Sequence, residues 1–435
     1  MAFLLIYDIV SLVILLSEFT IKQIFIDNWN NFITDCSDTL VRPSIFDEVN
    51  KIINCGNPAF GYALYVCEHC GKFLKVPFRC KSRFCNTCGV KYAQDRALAM
   101  AKKSIRCKHR HIVFTMSDKL WLYFQKYRYL LNGLFEASSK TILSWFYELN
   151  KSQNFKPGIM CTLHTFGRDL KWNPHIHALV PELIYDSKHK TIKHIKHFNY
   201  ESLRKTWQYE VNRLLLERFG KEIKPLIDKS YKNLVNGFYV YAKPDLKDDG
   251  KYSSNINSKN VKGCVNYMMR YAGRPVMAES RLISYDREND EVSWYYEDHK
   301  TEERVKVNET GKQLLEKMII HIPDKDFRMV RYYGFYNNKC HDTLDEINKL
   351  LGKGKSKYQS YLEKKKTLKQ KLDKLKFRTQ VADTYNRDVF KCGCGGTFKF
   401  TYTYNPLEGK TNDKKYREDC INEMRSMRIQ RRGFT

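Results

Sequence analysis

Six cysteines fall between Cys55 and Cys88, and four of them form two Cys-x2-Cys knuckles, Cys67-Glu-His-Cys70 and Cys85-Asn-Thr-Cys88. No other feature constrains what this chain can fold into as tightly. A zinc ion takes four soft donors in a tetrahedron, and two knuckles on separate turns bring two thiolates each. The chain has 14 Cys in 435 residues, so about half of one such pair is expected by chance. Two in one short window is therefore a signal. The knuckles sit among Gly71, Lys72, Lys75, Lys81 and Arg83 rather than apolar runs, which argues against buried or redox thiols. Cys67, Cys70, Cys85 and Cys88 are expected to hold one structural Zn2+. Cys55 and Cys80 are left over, either for a second site, with His69 as a further donor, or as small core residues. A closed four-thiolate site has no open position for a substrate, so this module is expected to bind or dock.

Charge says what it docks against. Lys plus Arg is 76 and Asp plus Glu is 48, a formal net charge of +28. Such an excess points to a polyanion, and nucleic acid is the first candidate. Aromatics make up 14% of the residues, with 29 Tyr, enough for base-stacking surfaces. A hydrophobic share of 43% excludes a wholly disordered chain, and the length predicts two or three domains.

The first 16 residues, MAFLLIYDIVSLVILL, are apolar except for Asp8 and Ser11. They lack the basic start and small-residue cleavage site of a signal peptide. They are also shorter than the roughly 20 residues of a membrane span. They read as a buried helix, or as residues upstream of the true start. No other stretch approaches a span, so a cytoplasmic protein without a membrane anchor is expected.

Apolar spacing predicts helix within 21–53, a basic helix over 91–103, and long helical periodicity over 118–150. Strands are expected at 111–115, 159–166, 175–180 and 235–242, with helices at 203–219 and 261–271, the last ended by Gly273 and Pro275. The stretch 281–340 is mixed and rather β-like, 349–376 reads as a Lys-rich solvated helix, and 414–432 as a basic tail. From 109 to 271 the order is β, α, β, β, α, β, α, which suggests an α+β fold, an antiparallel sheet with flanking helices.

Pro174-His175-Ile176-His177 leads into an extended segment. Residues two apart on a strand share a face, so His175 and His177 can hold one metal while Ile176 packs inward. Alone this is weak, because 12 His give about a third of a His-x-His by chance. His164 strengthens it: a hairpin-like turn would pair its strand with this one. Three ligands that leave open positions are what a catalytic metal requires; a satisfied core histidine is the alternative for His164. Tyr267 and Tyr271 are spaced for one helix face. Tyr123/Tyr127 and Tyr332/Tyr336 share that spacing, and about two such pairs are expected at random. Gly273-Arg274-Pro275, just downstream, favours Tyr267/Tyr271.

The joint order of these segments resembles a known family. The stretches CEHCGKFLKVPFRCKSRFCNTC, LHTFGRDLKWNPHIHALV, YMMRYAGRP and VRYYGFYNN are similar to the rolling-circle insertion-sequence transposases of the IS-ninety-one type. These are two-tyrosine members of the HUH endonuclease superfamily. The likeness runs from about residue 21 to about residue 340. It implies a ferredoxin- or RRM-like HUH sheet preceded by a small zinc-ribbon-like domain. It divides the chain into an apolar leader (1–20), a zinc-binding DNA-recognition domain (21–105), an HUH tyrosine nuclease domain (106–300) and a basic, partly helical C-terminal region (301–435). It also implies nucleophiles at Tyr267 and Tyr271, and a catalytic Mg2+ or Mn2+ on His175 and His177. His164 stands where a third ligand is expected. Zinc falls on Cys67, Cys70, Cys85 and Cys88, with Cys55 and Cys80 also matching. Lys262, Arg270 and Arg274 are candidate phosphate clamps. The implied activity cleaves and rejoins single-stranded DNA, at transposon ends and target, in a bacterial nucleoid, with no small-molecule substrate. A plasmid replication initiator or relaxase of the same superfamily is an alternative, as is a non-catalytic zinc DNA-binding protein. Two departures stand out: the apolar leader, and a late Cys392-Gly-Cys394-Gly-Gly element with too few ligands for a closed site unless Cys340 or Cys420 helps.

Overall fold

The computed structural model describes residues 19–35, 41–105, 107–195, 198–241, 255–256, 275–298, 301–351, 390–406 and 409–411. The leader, Lys262, Tyr267, Arg270, Tyr271, Arg274 and the basic tail lie outside the described residues, as does nearly all of the Lys-rich stretch 349–376. The chain forms two compact units, one from 1–49 and 82–361, the other from 50–81 and 362–435. This division differs from the expected boundaries at 105/106 and 300/301. Residues 50–81, with four of the six clustered cysteines, are grouped with the C-terminal end of the chain, and the residues on either side of them, Cys85 and Cys88 included, belong to the larger unit.

The larger unit is built on an antiparallel sheet. Its strands are β3 (His109–Phe114), β4 (Phe155–Phe166), β5 (Trp172–Pro181), β6 (Leu183–Asp186), β7 (Thr191–His194) and β8 (Val240–Tyr241), in the order β7-β6-β4-β5-β3-β8. Asn255–Ile256 (β9) adds to β3, and Val330–Gly334 (β13) adds to β4. The fold is thus α+β with antiparallel sheets, as expected.

Alternation along the strands decides what each face carries. Ile112, Phe114, Cys161, Leu163, Ile176, Ala178 and Val180 face the main core. There they meet helices α4 (Trp121–Lys126), α5 (Leu130–Asn150), α6 (Tyr200–Phe219) and α7 (Lys224–Asn233), through residues such as Phe124, Phe135, Phe146, Trp207 and Ile227. The Phe114 and Trp207 rings lie 5.1 Å apart. The opposite face puts Met160 and Leu179 in a smaller cluster with Ala97 and Met100 of α3 (Asn86–Lys103), and with Ile347 of α9 (His341–Leu350). The long periodicity of 118–150 breaks at Tyr127–Tyr129 into two helices. The strand expected over 235–242 is reduced to β8.

Elsewhere in this unit a three-stranded sheet, β10 (Leu282–Asp286), β11 (Glu291–Glu297) and β12 (Arg304–Thr310), is followed by α8 (Gly311–Ile319). Thr310 closes a capping box with Gln313. Helix α1 (Ile21–Asp35) is tied to this sheet: Asn28 donates to the Tyr285 hydroxyl at 3.1 Å, and Arg287 makes two 2.9 Å bonds to Asp27. Helix α2 (Pro43–Ile53) follows α1.

The smaller unit is an antiparallel sheet ordered β15-β14-β1-β2, from Tyr62–Cys67 (β1), Phe73–Pro77 (β2), Phe398–Asn405 (β14) and Gly409–Thr411 (β15). Strand β1 lies between β2 and β14, and Cys67 is in register with Phe398. Tyr65 packs on Phe390 (4.8 Å between centroids) and Phe400 (5.6 Å). Few of its described apolar residues are buried; Leu64 and Phe390 are among them. A unit this poor in core needs another source of stability.

Candidate functional site

Strands β4 and β5 pair so that His164 lies opposite His175, and Thr162 opposite His177. All three imidazoles are thus on the face away from the main core. Their ligand nitrogens lie within 4.8 Å of one another. Ring centroids are 4.0 Å apart for His164 and His177, 5.0 Å for His175 and His177, and 5.3 Å for His164 and His175.

The site favours neutral rings. Burial pushes His175 down to about 4, against a weaker opposing pull from its bond to the Asn173 carbonyl. His177 is held well below the usual range by burial, then by His164, His111 and His175 around it. Neutral imidazoles keep a lone pair for a cation. His175 Nδ1 is 2.7 Å from the Asn173 carbonyl oxygen. A carbonyl only accepts, so Nδ1 carries the proton and Nε2 keeps the lone pair. Two buried oxygens, Thr162 Oγ1 and Asn173 Oδ1, find no partner among the described residues. By strand alternation both share the histidine face, where they can accept from metal-bound water or a ligand hydroxyl. The residues present therefore fit a divalent cation.

A fourth ring went unnoticed in the sequence. His111 on β3 places Nε2 2.8 Å from His177 Nδ1, with the two rings nearly parallel at 5.0 Å. Burial holds His111 at about 4. A partner on Nδ1 leaves His177 Nε2 to face an ion, the usual outer-shell device for orienting a metal-bound imidazole. The only sequence signal was alternation within His109-Arg110-His111, on a strand remote from the His-x-His segment.

Two of the three tyrosine pairs are explained by packing. Tyr336 is fully buried, its hydroxyl within 2.8 Å of His109 Nε2 while accepting from the Ile105 N–H at 3.1 Å. Tyr332 lies on β13 under the Lys103 ammonium, 4.3 Å from its ring centre. Tyr123 and Tyr127 both pack on Phe219. Tyr267 and Tyr271 lie outside the described residues.

The thiols are grouped differently from the expectation. Cys67 and Cys70 form a tetrad with Cys392 and Cys394, whose four sulfurs lie within 4.8 Å of one another. Cys67 Sγ is 3.5 Å from Cys394 Sγ, and Cys70 Sγ is 3.6 Å from Cys392 Sγ. The single site expected on Cys67, Cys70, Cys85 and Cys88 is corrected by this arrangement, because one tetrahedron takes four thiolates and Cys67 and Cys70 already have theirs. The help expected from Cys340 or Cys420 for the late Cys-Gly-Cys element comes instead from Cys67 and Cys70. In the larger unit, Cys85 stands at the N-cap of α3 and Cys88 lies in its first turn.

Comparison with known proteins bears on both groups. A family model described as "Transposase zinc-binding domain" matches residues 24–116, and one described as "Putative transposase" matches residues 158–343. The transposase for insertion sequence element IS801 of Pseudomonas savastanoi pv. phaseolicola is 27% identical over 375 residues, covering 83% of this chain and 84% of that protein. The "Putative transposase y4qJ" of Sinorhizobium fredii (strain NBRC 101917 / NGR234) is 24% identical over 311 residues, covering 68% of this chain and 76% of that protein. No solved structure matches. Among the described residues, no helix is long and apolar enough to cross a membrane.

Proposed function

Because the chain belongs to the insertion-sequence transposases of the IS-ninety-one type, DNA-processing enzymes with an N-terminal zinc-binding domain, we propose that it cleaves and rejoins single-stranded DNA through 5′-phosphotyrosine intermediates. The observation that carries this reading is the convergence of His164, His175 and His177 on one sheet face, with burial holding His175 and His177 below the usual range. An all-imidazole set suits Mn2+ better than Mg2+, which prefers oxygen ligands. A cation bound there would offset the charge of the scissile phosphate and stabilise the departing 3′-oxygen.

The chain's own residues do the rest. The phenol oxygen of Tyr267 or Tyr271 attacks phosphorus, a Tyr O–P bond forms at the 5′-phosphate, and the P–O3′ bond breaks. The phenolic proton leaves the tyrosine and one is gained by the 3′-oxygen, so the ester conserves the bond energy and rejoining needs no ATP. An ordinary Tyr has a pKa near 10, so attack requires a cationic neighbourhood. Lys262, Arg270 and Arg274 are our candidates for clamping phosphates beside the phenols. Structural zinc on Cys85 and Cys88, with Cys55 and Cys80 as the other two of the six clustered thiols once Cys67 and Cys70 are taken, belongs to the proposal. Action on chromosomal DNA would keep the protein in the bacterial cytoplasm, at the nucleoid.

The test is a single-stranded oligonucleotide carrying the element's own end, incubated with the protein and Mn2+. A denaturant-resistant adduct is expected. Tyr267→Phe/Tyr271→Phe should abolish it, and His175→Ala should abolish it while leaving oligonucleotide binding intact. Folded protein that binds the end but forms no adduct would favour a zinc DNA-binding protein without nuclease chemistry.

A further inference from the structure

We propose that Cys67, Cys70, Cys392 and Cys394 bind one Zn2+ ion, so that a zinc site begun in the N-terminal region is completed by a knuckle near the C-terminal end of the chain. The zinc-binding family model stops at residue 116 and assigns nothing to Cys392 or Cys394.

The geometry is that of a tetrahedral thiolate site. Zn–S bonds of about 2.3 Å at tetrahedral angles put the sulfurs about 3.8 Å apart. The two closest cross pairs lie at 3.5 and 3.6 Å, and all four cysteines are free thiols. Each pair sits on a tight turn held by its own backbone. The Cys67 N–H donates to the Lys72 carbonyl at 2.9 Å and the Gly71 N–H to the Cys67 carbonyl at 3.0 Å. The Cys392 N–H donates to the Gly396 carbonyl and the Gly395 N–H to the Cys392 carbonyl, both at 2.9 Å. The turns are joined by the Glu68 N–H, which donates to the Thr397 carbonyl at 3.2 Å. Gly396 permits the approach: a Cβ there would stand 2.8 Å from Cys67 Sγ and 2.7 Å from His69 Cβ.

The physical consequence concerns the sheet. Strand β14 follows this knuckle and covers one edge of β1. The two halves are 322 to 327 positions apart in sequence, so closing the loop between them is costly in entropy. Zinc binding free energy can serve as folding free energy here. The smaller unit is then completed only in a chain synthesised through Cys394.

The test measures zinc in full-length protein, by metal analysis after purification. Cys392→Ser/Cys394→Ser and Cys67→Ser/Cys70→Ser should each lose one equivalent relative to the parent, and the quadruple variant should lose no more than one. Full zinc retention in Cys392→Ser/Cys394→Ser would overturn the site. Because these variants can fail to fold, alkylation of the unaltered, zinc-loaded protein gives a second readout. Cys392 and Cys394 should resist the reagent as Cys67 and Cys70 do, and all four should react together once a chelator is added. Immediate alkylation of Cys392 and Cys394 while Cys67 and Cys70 stay protected would also overturn it. Neither measurement involves the histidine site, so failure here would leave the nuclease proposal standing.

Discussion

His111 reaches the proposed ligands through His177, and that makes its role separable. With His177 Nε2 facing an ion, its Nδ1–H donates to His111 Nε2 at 2.8 Å. Loss of such an outer-shell partner typically costs about 10- to 100-fold in metal affinity or activity. We expect His111→Ala to raise the Mn2+ concentration needed for half-maximal adduct by that factor, and His111→Gln to recover much of it. A merely structural His111 would lower the melting temperature and leave the Mn2+ requirement unmoved. His321 allows a pH prediction away from the metal. It is buried, accepts from Thr165 Oγ1 at 3.1 Å and donates from Nε2 to the Leu170 carbonyl at 3.0 Å. Burial holds it at about 3, with the Leu170 bond opposing and Arg128 reinforcing. Its folded value lies below the ordinary 6.5, so the unfolded chain takes up the proton first. The stability it contributes is full above about 6.5 and is lost as pH falls toward 3. His321→Gln keeps both hydrogen bonds without titrating, and its melting temperature should drop less than the parent's between pH 7 and pH 4. At this scale His175 and His177 were legible because a period of two on a strand is local. His111 was not, because its place beside His177 depends on the register of β3 against β5.

Among elements, the hairpin of β4 and β5 was the best read, since its runs are apolar, short and divided by the turn Gly167-Arg-Asp. The break of 118–150 into two helices and the shortening of 235–242 to β8 were not, because apolar spacing is blind to where a chain turns for packing reasons. Strand β13 illustrates a constraint only coordinates reveal. Gly334 has φ +58°, and a Cβ there would stand 1.7 Å from the Pro157 carbonyl oxygen, where β13 joins β4. Gly334→Ala must both strain the backbone and displace this strand, at a cost of about 3 kcal/mol or more. A melting temperature lowered by at least about 5 °C is expected in scanning fluorimetry. Gly393→Ala, where a Cβ meets nothing within 4 Å, is the control and should stay within about a degree. Equal melting of the two variants would mean that the β13 pairing contributes little.

At the scale of the molecule, the α+β class, the zinc and the polyanion were legible beforehand, but the grouping of 50–81 with 362–435 was not. Knuckle spacing says that thiolates come in pairs and is silent on which pairs share an ion. The pairing of β1 with β14 is what reveals the union of such distant segments. The net charge of +28, by contrast, is a property of the whole chain and makes its own prediction. Each phosphate neutralised on a single strand releases condensed counterions, and the slope of log affinity against log salt is about −0.7 per phosphate. A footprint of about six phosphates gives a slope near −4, a loss of roughly 300-fold between 50 and 200 mM salt. Titration of a labelled single-stranded oligonucleotide across that range measures it. His175→Ala should show the same slope with no adduct at any salt, because the imidazoles act on one phosphate while the excess lysines and arginines act on many. A nearly flat salt dependence would mean that the positive charge is not spent on the DNA backbone, and the case for a nucleic-acid partner would then rest on family membership alone.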